Sequence, residues 1–184
     1  MDPIIFLDAA NELMKWPMFP YFDIAHFIMT AMYLREDLAA GCHAFTRKHV
    51  FACWISFMFS AFAGNFLACF LLGEPIIGSL KSTNHILVAT AVWYLIFYMP
   101  ADFVYKICKF LPIKITIAFM KEIIRCKKIN DGVTHAAAIY PNSFLIMVII
   151  GTVKGNGASL VKLFERMLRG TWTPNNIEFL QPSL

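Results

Sequence analysis

Between residues 136 and 161 the chain is apolar or weakly polar, and its single charge is Lys154. That length suits a membrane-spanning helix, which needs about 20 predominantly apolar residues. Gly151, Gly155 and Gly157 surround the lysine, and each weakens a helix. Non-helical backbone at membrane depth survives only where protein or a water-filled cavity covers it. An ionisable side chain at that depth marks a functional site by default. The pattern predicts a kinked helix lining a polar path through a bilayer.

Composition extends this to the whole chain. Hydrophobic residues make up 59% of the 184 and charged residues 15%, with a mean hydropathy of +0.61. Soluble domains carry about 25% charge and about 45–50% apolar residues. The chain therefore reads as an all-α polytopic membrane protein. A net charge of +4, widely dispersed, gives no basis for nucleic-acid binding. Five scattered cysteines lack metal spacing and form no disulfide framework. Asp2, Asp8 and Glu12 precede the first basic residue, Lys15, the wrong sign for a cleaved signal peptide. With neither Gly-x-Ser-x-Gly nor His-Glu-x-x-His, no catalytic residue, metal ligand or enzyme activity is assigned.

Five candidate spans follow in order, at residues 16–34, 51–73, 82–101, 111–129 and 136–161. Residues 16–108 form one three-helix unit, 110–162 the first two helices of a second, and 163–184 a polar tail within a single transmembrane domain. In the first span Asp23 and His26 share a helix face and read as bundle-facing hydrogen-bonding groups, with a metal or proton relay as the alternative. The fourth span is the least apolar. Lys106, Lys109, Lys114, Lys121, Arg125, Lys127 and Lys128 surround one acid, Glu122. Lys121 and Arg125 stand four apart on one face. That arrangement suits an anionic group such as a phosphate, and equally a snorkelling basic face. Glu122 lies about 100° round the helix and points elsewhere. Ile129-Asn130-Asp131-Gly132 reads as a turn.

Basic residues in short loops set orientation. Arg35, Arg47, Lys48, Lys106, Lys109 and the basic residues after Val161 fall on one side, Lys15 and Lys81 on the other. The N-terminus is therefore on the non-cytosolic side, and the far end of the fifth span cytosolic. The second and fifth spans both carry Gly-Asn near their middle, Gly64-Asn65 and Gly155-Asn156. Gly64 suits close helix packing; Asn65 beside it favours a kink. Interrupted helices at matching places in two inverted units point to a permeation or binding site.

Several of these stretches resemble the trimeric intracellular cation (TRIC) channels of the endoplasmic and sarcoplasmic reticulum. The resemblance runs from Phe19-Pro-Tyr-Phe-Asp-Ile-Ala25 to Glu178. It includes Leu72-Gly-Glu-Pro75, Val92-Trp-Tyr-Leu-Ile-Phe97 with Pro100 and Asp102, Met120-Lys-Glu-Ile-Ile-Arg125, Val153-Lys-Gly-Asn-Gly157, Phe164-Glu165 and Arg169-Gly-Thr-Trp172. It implies a homotrimer with one pore per subunit, in endoplasmic or sarcoplasmic reticulum membrane and in the nuclear envelope. It implies potassium as the permeant ion, carrying counter-charge during calcium release. It also implies bound phosphatidylinositol 4,5-bisphosphate, with Lys121, Arg125, Gly155 and Gly157 at the lipid and Lys154, Gly151, Gly64, Asn65 and Asn156 forming or gating the pore. Family members have seven helices, three plus three inverted and a seventh outside, so the second repeat here is expected to be incomplete. Inverted repeats also suit a secondary transporter, and a non-conducting membrane scaffold is the third reading.

Overall fold

The computed structural model describes residues 12, 17–37, 46 and 48–168. Expectations for residues 1–11, Trp16, Cys42, Arg47 and the tail from 169 lie outside the described residues. Among the described residues six α-helices follow one another: α1 Tyr21–Asp37, α2 Val50–Leu72, α3 Thr83–Tyr98, α4 Phe103–Lys109, α5 Leu111–Ile139 and α6 Phe144–Leu168. This is an all-α membrane fold. Helix α2 is apolar all round, uncharged and 23 residues long, roughly 35 Å at 1.5 Å per residue. It stops at Gly73, whose left-handed conformation (φ 72°) turns its N–H back onto the Cys69 and Phe70 carbonyls.

Helices α2 and α6 are each long and apolar enough to cross a membrane, and α3 with α4 forms a third, broken candidate bent by 94°. Helices α1 and α5 occupy the places expected for the first and fourth spans but do not reach that apolar standard. They are stabilised by packing instead. Phe27, Met29, Ala31 and Met32 put α1 deep in the core beside Phe57 of α2 and Ile96 of α3, and α5 packs between α1 and α6.

Three expectations change. Helix α5 runs straight through residues 129–132, so no turn occurs there, and the chain reverses at Pro141-Asn142. Gly132 is buried where α5 meets α6, with the Lys154 side chain against it; it serves close packing. The last span accordingly begins at Phe144. Nor do α2 and α6 break at their glycines. Both are continuous helices, and Gly73 is the only described glycine with positive φ. The glycines are where the two axes cross. A Cβ on Gly64 would lie 2.6 Å from the Lys154 carbonyl oxygen, and one on Gly157 would overlap the Gly64 backbone. Small residues let helices approach closely where no hydrophobic force separates lipid from protein.

The real break is at Met99–Asp102, where Ala101 (φ 60°) and Asp102 (φ 54°) adopt left-handed backbone. Arg35 of α1 holds it. Its guanidinium donates to the Ile96 carbonyl at 2.6 Å, pairs with Asp102 at 2.8 Å and lies 4.1 Å over the Tyr105 ring. A buried arginine persists only when its donors are met in this way. Polar side-chain pairs also sort the helix ends. Asp23–His85 (3.2 Å) and Glu74–His135 (2.7 Å) lie at one end of the bundle, Arg35–Asp102 and Asp37–Lys162 (2.8 Å each) at the other. That grouping matches a chain whose long helices alternate in direction.

Candidate functional site

Halfway along the bundle, the α2–α6 crossing and the adjoining face of α5 enclose a cavity of about 80 Å³. Helix α5 contributes Lys121, Arg125 and Lys128 at spacings of four and three; α6 contributes Lys154, Gly155, Asn156 and Gly157; α2 contributes Ser60, Gly64 and Asn65. Of the nine residues singled out from the sequence, eight meet at this one cavity. Gly151 does not. It faces Val133 and Ile129 and serves the α5–α6 contact.

The cations are held differently. Lys121 Nζ lies 4.7 Å over the Tyr33 ring, a cation–π contact across to α1. Arg125 donates to Glu122 Oε2 at 3.1 Å and to Asn156 Oδ1 on α6. Glu122 therefore does not point away from Arg125. Residues three apart on a helix are neighbours, and the long guanidinium stem swings back to the acid. Two of five donors are thus committed, and the guanidinium stays at the cavity wall. Asp23 and His26 do not bond each other. Asp23 pairs with His85, and His26 Nε2 donates to the Ala61 carbonyl at 3.1 Å; each ties α1 to a neighbour, as expected of bundle-facing groups.

Sequence reasoning missed Lys128, Ser60, His26 and Asp131 as cavity residues. The signal for Lys128 was present, since it stands seven after Lys121 and hence on the same face. Asp131 was hidden by the turn assignment.

Two further cavities adjoin the first. One, of about 290 Å³, is bounded by Asp23, Asn65, Lys127, Lys128, Asp131 and Lys154. The next, of about 810 Å³, reaches Glu74, Ser79, Lys81 and His135 beyond the C-terminus of α2. All three share Asn65 and Lys154. The three cavities therefore adjoin one another between mid-bundle and the Lys81 end. Their charge is graded: the innermost cavity has four cations and no carboxylate among its described lining residues, whereas Asp23, Asp131 and Glu74 line the outer two.

A helical bundle with two helices long and apolar enough to cross a membrane, and with four cations gathered at a cavity between its helices, has the architecture of a polytopic membrane protein. Residues 39–184 match the sequence profile described as TRIC channel, and the chain belongs to the TRIC channel family. It is 46% identical over 183 residues to trimeric intracellular cation channel type 1B.1 of Caenorhabditis elegans, covering 100% of this chain and 62% of that one. With the human type A channel it shares 41% over 176 residues, covering 96% and 58%. A solved trimeric intracellular cation channel from C. elegans, without Ca2+, superposes with a TM-score of 0.90 at 45% identity, over 100% of this chain and 78% of that one. A structure concerned with TRIC counter-ion channels in calcium release gives 0.83 at 38% identity, covering 96% and 78%. These relatives are channels, not enzymes. The chain spans about three-fifths of the length of the curated relatives it matches.

Proposed function

We propose that the chain forms the conducting core of a potassium-permeable channel subunit in endoplasmic or sarcoplasmic reticulum membrane. The subunit works as a homotrimer, lies with its N-terminus in the lumen, and carries counter-charge during calcium release. The observation that carries this reading is the gathering of Lys121, Arg125, Lys128 and Lys154 at one mid-bundle cavity whose described lining includes no carboxylate. Four cations in a low-dielectric surround repel a permeating cation by several kcal/mol. Conduction through this cavity therefore needs a neutralising anion. A phosphoinositide head, phosphatidylinositol 4,5-bisphosphate by family, supplies it: Lys121 and Arg125 meet the phosphates, and Gly155 and Gly157 let α6 close on α5 and α2 beside them. Lys154 and Asn65, common to all three cavities, stand where the path narrows and gate it.

Native mass spectrometry of co-purified lipid tests the reading, alongside planar-bilayer recording of the chain and of a version extended by its relatives' further helices. Lys121→Gln and Arg125→Gln should each lower lipid retention about tenfold and reduce cation current, with Lys114→Gln as a control outside the cavity. Equal retention in every variant, or no current from the extended chain, refutes it.

A further inference from the structure

Of the three carboxylates lining the outer two cavities, two are engaged. Asp23 is held by His85 and Glu74 by His135. Asp131 is exposed, lines both outer cavities, and forms no hydrogen bond or ion pair with another described residue. It stands three residues after Lys128 on α5, so its carboxylate lies between the wide mouth and the innermost cations.

We infer that Asp131 is the cation-collecting charge of this mouth, setting the local concentration of monovalent cations offered to the Asn65–Lys154 narrowing. The inference rests on the reading of these cavities as a cation path. The charges that share its surroundings are Asp23 of α1, Glu74 and Lys81 beyond α2, Lys127, Lys128 and His135 of α5, and Lys154 of α6. Asp23 and Glu74 each meet an imidazole at hydrogen-bond distance, whereas the exposed Asp131 carboxylate faces the water of the vestibule. A single carboxylate about 7 Å from a point in water-filled space raises monovalent cations there about two- to threefold at low ionic strength. It lowers anions by as much, and salt near 1 M screens both effects away.

Two measurements test this, one of them independent of conduction. Cys69 lines the same wide cavity. In the full chain carrying Cys69 as its sole cysteine, its reaction rates with a cationic and an anionic methanethiosulfonate report the local potential. At low salt Asp131→Asn should lower the cation-to-anion rate ratio about fivefold, Asp131→Glu should restore it, and the difference should vanish near 1 M salt. In single-channel recordings of the extended chain, Asp131→Asn should roughly halve the current carried by cations entering from the Lys81 end. Current in the other direction should be unchanged, so the variant rectifies. An unaltered thiol ratio beside intact wild-type current overturns the role of Asp131 alone, as does equal loss of current in both directions. A shifted ratio with no wild-type current overturns the channel reading and leaves the mouth potential standing.

Discussion

The close contact between Gly157 and Gly64 gives the most demanding prediction. Gly157 of α6 faces the Gly64 backbone, so that a methyl group there would overlap main-chain atoms, and a methyl on Gly64 would reach within 2.6 Å of the Lys154 carbonyl oxygen. Ordinary contact begins near 3.4 Å, so Gly64→Ala alone asks the helices to part by most of an ångström. Alanine contributes about 1 kcal/mol over glycine in a helix interior. Overpacking against atoms that cannot swing aside costs about 1–3 kcal/mol, and here the obstacle is backbone. Gly157→Ala should therefore lose about 1–2 kcal/mol net. Gly132→Ala is the internal comparison. It gains the same propensity, but its new methyl meets chiefly the flexible Lys154 side chain, so its stability should hold or rise slightly. Reversible denaturant unfolding in detergent micelles, followed by circular dichroism, separates the two. The Gly64→Ala, Gly157→Ala double variant should lose less than the sum of the singles by more than about 0.5 kcal/mol, because the first substitution opens the gap the second needs. Additivity, or a Gly157→Ala protein as stable as Gly132→Ala, would show that α2 and α6 do not touch here.

Arg35→Gln should cost about 3 kcal/mol in the same assay, because it leaves Asp102 and the Ile96 carbonyl without their donor at the elbow; a neutral result would mean that the elbow holds itself. Lys162→Gln, which removes a partly exposed pair with Asp37, should cost no more than about 1 kcal/mol. Asn156→Ala frees one Arg125 donor and should change lipid retention less than Arg125→Gln does, as read by native mass spectrometry. For topology, Lys81→Cys and Lys109→Cys should react with an impermeant thiol reagent from opposite faces of a sealed vesicle. Native Cys108 is buried and serves poorly as that probe. Labelling of both positions from one face would contradict the alternation drawn from the side-chain pairs.

Much of the site was legible because its chemistry is unusual for its surroundings. A lysine among glycines in an apolar stretch, and two cations four apart in a marginal span, stand out against lipid-like sequence. The structure brings them to one cavity. Backbone geometry was read less well. The glycines around Lys154 read as break points because helix propensity is a local property, whereas at Gly157 the deciding factor is the backbone of Gly64 on a neighbouring helix far along the chain. The same confusion made a turn of Ile129–Gly132, where burial of Gly132 against α6 outweighs the local turn signal. The sharp break at Ala101-Asp102 requires left-handed backbone at two successive non-glycine residues, which is uncommon, and no local motif announces Arg35, 61 residues before Ile96 is clamped.

Asn65 and Lys154 are common to all three cavities, and a shared lining couples what those cavities hold. On the function proposed above, a change of size or charge at either residue is felt in every cavity at once. A change at Ser60 or at Ser79 stays within a single one.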